Sequence, residues 1–254
     1  MNNGIKSTGV ENMDKPQDLP AGCFSSWLRR TRSALVKGNG VDVRCGDCIA
    51  CCMSFYFIHI RPEETRTIAR INKKLLFQAP GLPKGNVLLG YDENGRCPML
   101  IEGRCSIYEH RSLTCRSYDC RIFTAAGIAA GENDKVLINQ RVRRWKFSYP
   151  TMLDRDQHKA VKAAAAFLRE RAECFPGGAV PGNPSQLAIL ALKVYKVFLR
   201  RDNDSGKTRQ MPPDSEVAKA IMETNERFEA RRIGQQRGSK GTFFLLPKNK
   251  KRSR

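Results

Sequence analysis

The sequence predicts an α+β protein: a small, irregular, cysteine-rich, metal-stabilised domain with short hairpins, followed by helices. Three observations predict it. Eight of the ten cysteines fall between Cys45 and Cys120, opening as Cys45-Gly-Asp-Cys48-Ile-Ala-Cys51-Cys52 and continuing with Cys97, Cys105, Cys115 and Cys120. Short β-branched or aromatic runs separated by Gly, Asn, Asp and Pro fill the interval between them, as in hairpins. Beyond that interval, apolar residues recur at helical spacing.

Composition sets the frame. A chain of 254 residues can hold one compact domain together with polar ends, and a charged share of 28% against 41% hydrophobic places the polarity in those ends. A formal net charge of +20 predicts attraction to anionic partners, whether nucleic acid, acidic protein or membrane surface, through salt-sensitive contacts. No charged, then apolar, then small-residue leader opens the sequence, and the apolar runs at 54–60 and 187–192 are too short to span a bilayer. A cytoplasmic location is expected. Thiols stay reduced there, so clustered cysteines serve as ligands more often than as bridges.

Taken in order, residues 1–40 form a disordered, basic lead-in. Within it, Cys23 to Leu28 with Arg29, Arg30 and Arg32 reads as a solvated linker with one aromatic tucked against the body, in preference to a short basic helix capped by Ser25. Residues 41–125 form the cysteine-cluster domain. Its cysteine run leads into a strand over Phe55 to Ile60, and Arg61-Pro62-Glu63-Glu64 starts a helix with Ile68, Ile71 and Leu75 on one face. Pro80 to Pro83 break that helix. Val87 to Leu89 then begin a hairpin that turns at Asp92 to Gly95 and returns at Cys97, and a second turn at Glu102-Gly103 leads to Cys105. Glu109 to Thr114 make a short helical turn that delivers Cys115 and Cys120.

Residues 126–203 form a helical extension. It holds a helix over Lys135 to Phe147, then a helix capped by Asp154 or Asp156 with a stripe of Val161, Ala164, Ala165, Leu168 and Ala172, then a nearly all-apolar helix started by Asn183-Pro184. In 204–254, an amphipathic helix from Asp214 toward Arg232 precedes a basic tail, Lys248 to Arg254.

Thiols at CxxC spacing can bring two sulfurs to one ion, because a tight turn carries both side chains round to the same side. Buried cysteines can also be small core hydrophobes, but an adjacent pair after regular three-residue spacing is an odd way to build a core. The cluster therefore points to a metal or iron-sulfur site. Four thiolates complete a zinc site or a cubane cluster, so the count allows either, in one site or two. His59, His110 and His158 do not stand at ligand spacing from the thiols. Arg44, Arg96, Arg104, Arg116 and Arg121 flank the cysteines, where guanidinium groups would favour thiolates.

The CxxCxxCC opening, Cys97-Pro-Met-Leu, Cys105-Ser-Ile-Tyr-Glu and the Cys115-Arg to Cys120 ending resemble the bacterial cysteine-cluster proteins described as a zinc- or iron-chelating domain. That resemblance implies Cys45, Cys48, Cys51, Cys52, Cys97, Cys105, Cys115 and Cys120 as ligands and leaves Cys23 and Cys174 outside. It breaks at Arg111-Ser112, where the family pattern has Arg-Pro, which implies a looser turn. A similar cluster in flagellin lysine N-methylases implies an alternative, a cluster-dependent protein-modifying enzyme, although no glycine-rich cofactor loop is evident. A third class is a nucleic-acid-binding module, with Arg29, Arg30, Arg32 and the basic tail on phosphates.

Overall fold

A computed structural model describes residues 17–38, 40–177, 179–199 and 212–238. The architecture is α+β, with three small sheets set among helices. It begins with β1 (Leu19–Cys23) and α1 (Phe24–Lys37). The described part of the expected lead-in is thus ordered, and Phe24, Trp27 and Leu28 are almost wholly buried. The three charges at 29, 30 and 32 conceal this helix in the sequence, because its apolar face is confined to one stripe. Ser25 does not cap it: the N-cap is Cys23, and the Ser25 amide donates instead to Asp154 Oδ1 at 2.9 Å.

β2 (Ile58–Ile60) is shorter than the strand expected over 55–60. The helix expected after Arg61 is a single turn, α2 (Thr65–Ile68). Asn72 Oδ1 accepts from the Lys74 amide and caps a 3-10 turn in its place, and Leu75 is exposed. The chain then enters β3 (Leu76–Gln78). β4 (Val87–Leu89) is the centre of an antiparallel sheet ordered β2-β4-β3, so it pairs with Ile58–Ile60 and Leu76–Gln78 and not with the segment at Cys97. The hairpin of β5 (Leu100–Ile101) and β6 (Arg104–Cys105) does form, over a turn in which Glu102 and Gly103 both have positive φ, the requirement of a tight two-residue connection.

α3 (Leu113–Ser117) carries Cys115 and α4 (Arg121–Ala126) follows Cys120. The turn expected to be loose at Ser112 is held firmly, since the Ser112 hydroxyl accepts from the Cys115 amide at 3.1 Å. α5 (Val136–Arg144) ends sooner than expected, and Trp145 begins β7 (Trp145–Ser148), parallel to β1. That pairing over a long sequence separation is invisible to local periodicity. α6 (Met152–Glu170) starts at a Thr151–Asp154 capping box, so Asp154 acts as the box partner while Thr151 is the cap. α7 (Pro184–Val194) is capped by Asn183 as expected, and α8 (Asp214–Gly238) closes the described chain.

Two apolar cores result. The larger joins α1, α4, α6, α7 and α8 around Trp27, Phe123, Leu168, Leu192 and Ile221. Ala160, Ala164 and Ala165 on α6 and Ala188 and Ala191 on α7 are buried small residues that allow these helices to approach closely. The smaller core consists of Ile60, Ile71, Leu89 and Met99 beneath the β2-β4-β3 sheet. The cysteine segment runs along the seam between them.

Candidate metal centre

All ten cysteines are free thiols, each partly buried. Cys48, Cys51 and Cys120 pack against the larger core, whereas Cys97 and Cys105 pack against the smaller one. Cys51 and Cys52 open a 3-10 turn, Cys51–Met53. A backbone turn closes from the Cys48 amide to the Cys45 carbonyl at 3.1 Å, and the Cys97 amide donates to the Cys52 carbonyl at 2.7 Å.

The thiols sit within one another's electrostatic reach. Burial, then the charges of Cys120, Cys48, Cys45 and Cys52, push Cys51 well above the ordinary thiol range. Burial, then Cys97, Cys115, Cys105 and Cys45, push Cys52 up to about 12. Burial likewise raises Cys115 and Cys120 to about 11, and raises Cys97 and Cys105. Such thiols are neutral at pH 7, and a cation that ligates them must displace their protons.

Among the described residues, Arg111 and Trp145 each donate to a cysteine sulfur. The Arg111 guanidinium, 8% exposed, reaches Cys45 Sγ at 3.0 Å while also donating to the Tyr108 and Val43 carbonyls and lying over the Tyr108 ring. Trp145 Nε1 donates to Cys120 Sγ at 3.1 Å, with Arg121 and Arg141 over its indole. Donors aimed at sulfur stabilise the thiolate, the ligating form. The donor set therefore fits a thiophilic metal or cluster. Among the described residues no three Cys, His, Asp or Glu groups stand together closely enough to hold an ion, so the expected convergence of sulfurs on one point is not present.

The flanking arginines serve the backbone more than the sulfurs. Arg96 donates to the Leu100 carbonyl, Arg116 to the Arg111 carbonyl, and Arg121 to the Asp119 carboxylate. Arg44 and Arg104 are exposed. Spacing could not single out Arg111, because only the fold turns it inward. Asp119 in turn accepts from Trp27 Nε1 at 2.9 Å, which ties the residue before Cys120 to the larger core. His59 pairs with Asn86 Oδ1, and His158 stacks on Phe24 beside Tyr149. Cys23 donates to Asp154 Oδ1 at 3.0 Å. Of the basic groups expected on phosphates, Arg32 is engaged with the Leu192 and Lys193 carbonyls, and Lys248 to Arg254 lie outside the described residues.

An irregular α+β body lines a seam with free, half-buried thiols. Residues 44–141 match the model of the CxxCxxCC family, described as "Putative zinc- or iron-chelating domain". No curated protein matches the chain, and no solved structure does. No described helix is long and apolar enough to cross a membrane.

Proposed function

We propose that this protein chelates zinc or iron through Cys45, Cys48, Cys51, Cys52, Cys97, Cys105, Cys115 and Cys120, with the helical body as a scaffold for the thiol-lined seam. The observation that carries this reading is the match of residues 44–141 to a zinc- or iron-chelating family, supported by the free, half-buried thiols that pack along one seam. Zinc would be held as tetrahedral thiolate and would stabilise the irregular loops, while iron would be held in an iron-sulfur cluster and would supply electron transfer. The same four-thiolate donor sets serve both.

Metal analysis and an absorption spectrum of full-length protein purified without oxygen test the reading. Stoichiometric zinc without colour, or iron with a broad visible band, is the expected result. Folded protein free of both metals, and unable to take them up from solution, overturns it.

A further inference from the structure

We propose that the outer face of the β2-β4-β3 sheet is a platform for single-stranded nucleic acid, with bases stacked on Phe57 and Phe77 and phosphates held by the lysines that lead into β3. This goes beyond the chelation reading and does not depend on it.

Register divides the sheet into two faces. Ile58, Leu89 and Leu76 stand opposite one another, as do Ile60 and Val87, and these residues turn inward to the smaller core. The row between them, His59, Leu88 and Phe77, therefore faces outward. Phe57, two positions before His59, falls on the same side, and its ring meets that of Phe77 edge to face with centroids 5.8 Å apart. Phe57 is 53% exposed and Phe77 44%. Tyr91 continues the row at 4.8 Å from Phe57, and Phe55 follows at 5.4 Å from Tyr91. Contiguous exposed rings add little to folding, and such patches mark interaction sites. Gly90 lies beneath the two exposed phenylalanines: a Cβ there would meet Phe77 Cε1 at 3.5 Å and Phe57 Cε1 at 3.8 Å. Without a side chain at this point, the floor of the row stays open to a flat group.

Charge selects the partner. From Thr65 to Tyr91, the stretch that builds β3 and β4, the chain carries Arg66, Arg70, Lys73, Lys74 and Lys84, all exposed, and no Asp or Glu. Among the described residues none of these five is ion-paired. Lys73 and Lys74 belong to the 3-10 turn that runs directly into β3. A row of rings bordered by uncompensated cations complements an anionic chain with flat side groups: bases stack on the rings while phosphates meet the ammonium groups. An extended peptide added along β3 fits less well, because the edge is only three residues long and the Leu76 amide already donates to the Lys73 carbonyl.

The test is fluorescence anisotropy of the full chain with fluorescein-labelled oligo(dT), with a DNA duplex as the reference for charge alone. Wild type should bind the single strand in preference to the duplex. Phe57→Ala and Phe77→Ala should each weaken oligo(dT) binding about 5- to 150-fold, the usual cost of one lost stacked base, and leave duplex binding unchanged. Phe57→Leu keeps bulk and loses the plane, so it should bind as weakly as Phe57→Ala. Gly90→Val should close the gap between the rings and weaken binding as well. Lys73→Gln/Lys74→Gln should lower the slope of log affinity against log salt by about 1.4, as expected for two lost phosphate contacts on a single strand. Far-UV circular dichroism identifies the folded variants. Wild-type affinity for oligo(dT) in folded Phe57→Ala and Phe77→Ala, or in folded Phe57→Leu, overturns the proposal, since binding then resides in the basic ends or in apolar contact without stacking. A wild type that leaves oligo(dT) unbound also overturns it; if that protein instead binds phosphatidylserine vesicles or self-associates in a Phe57-dependent way, the face belongs to a membrane surface or to a second copy of this chain.

Discussion

Trp145 Nε1 donates a 3.1 Å hydrogen bond to Cys120 Sγ, and it can do so because the parallel pairing of β7 with β1 holds the indole at the foot of α4. A hydrogen bond to sulfur stabilises the thiolate and orients it. Trp145→Phe keeps a ring between Arg121 and Arg141 and deletes only the donor. Its expected consequence is zinc binding weakened about 10- to 100-fold with the fold intact, the usual range for a lost partner of a ligand. Competition against a chromophoric chelator measures this, and unchanged affinity refutes the role.

Arg111 is a buried cation with four kinds of partner: two carbonyls, the Cys45 sulfur, the Tyr108 ring and the Asp42 carboxylate at 3.7 Å. Arg111→Met should fill much of the same space and leave the Val43 carbonyl without its donor, while the Tyr108 carbonyl keeps the backbone amide of residue 111. Each buried group left unpaired costs about 1–3 kcal/mol, so a loss of that order is expected in urea unfolding of metal-free protein. Arg111→Lys should recover only part of it, because an ammonium cannot reproduce the guanidinium fork. Full recovery by lysine shows that charge alone suffices.

The cysteine run is easier to read in the sequence than the scaffold around it. CxxC spacing is a local property, so the cysteine run announces itself, and so do the β5-β6 turn at Glu102-Gly103 and the Asn183-Pro184 helix start. The pairing of β1 with β7 joins residues more than a hundred positions apart, and no periodicity reports it. The same is true of β4, whose partners are chosen by the small core under Ile60 and Leu89 and not by the nearest turn. The lead-in misled because α1 is rich in arginine while its buried face depends on Trp27 and Phe24 meeting Phe147, residues from opposite sides of the cysteine segment.

His158 gives the folded state a pH dependence. Burial first, then the charge of Lys162, lowers it from the ordinary 6.5 to about 4; its ring stacks on Phe24, and Tyr149 shares a hydrogen bond with Nδ1. The unfolded chain takes up a proton near pH 6.5 while the folded chain resists until about 4. Stability from this group is therefore fully present above 6.5 and drains away as pH falls toward 4, by on the order of 2–3 kcal/mol. Asp154, held below the usual carboxylate range by Thr151 and its other donors, contributes only at lower pH. Urea unfolding of metal-free wild type and His158→Gln between pH 7 and 4.5 should show a slope in the first that is flattened in the second. Parallel slopes refute the assignment.

Gly95 aligns the segments that carry Cys52 and Cys97. A Cβ placed there would stand 2.3 Å from Phe55 Cδ2 and 2.4 Å from Cε2, and the residue has φ +74°, a conformation that L side chains rarely adopt. The Phe55 amide donates to the Gly95 carbonyl at 3.1 Å, so the contact aligns two segments that also meet at the Cys97–Cys52 backbone bond. Gly95→Ala should cost about 1–2 kcal/mol for the backbone alone and more for the collision with the ring. In a Phe55→Ala background the collision is absent and only the backbone cost remains, so the two substitutions should couple in a double-mutant cycle. Because the displaced segments carry Cys52 and Cys97, Gly95→Ala should also speed metal loss to a chelator from that side of the seam. Equal costs in both backgrounds, with unaltered metal release, would show that the Phe55 ring does not set the spacing of these two cysteines.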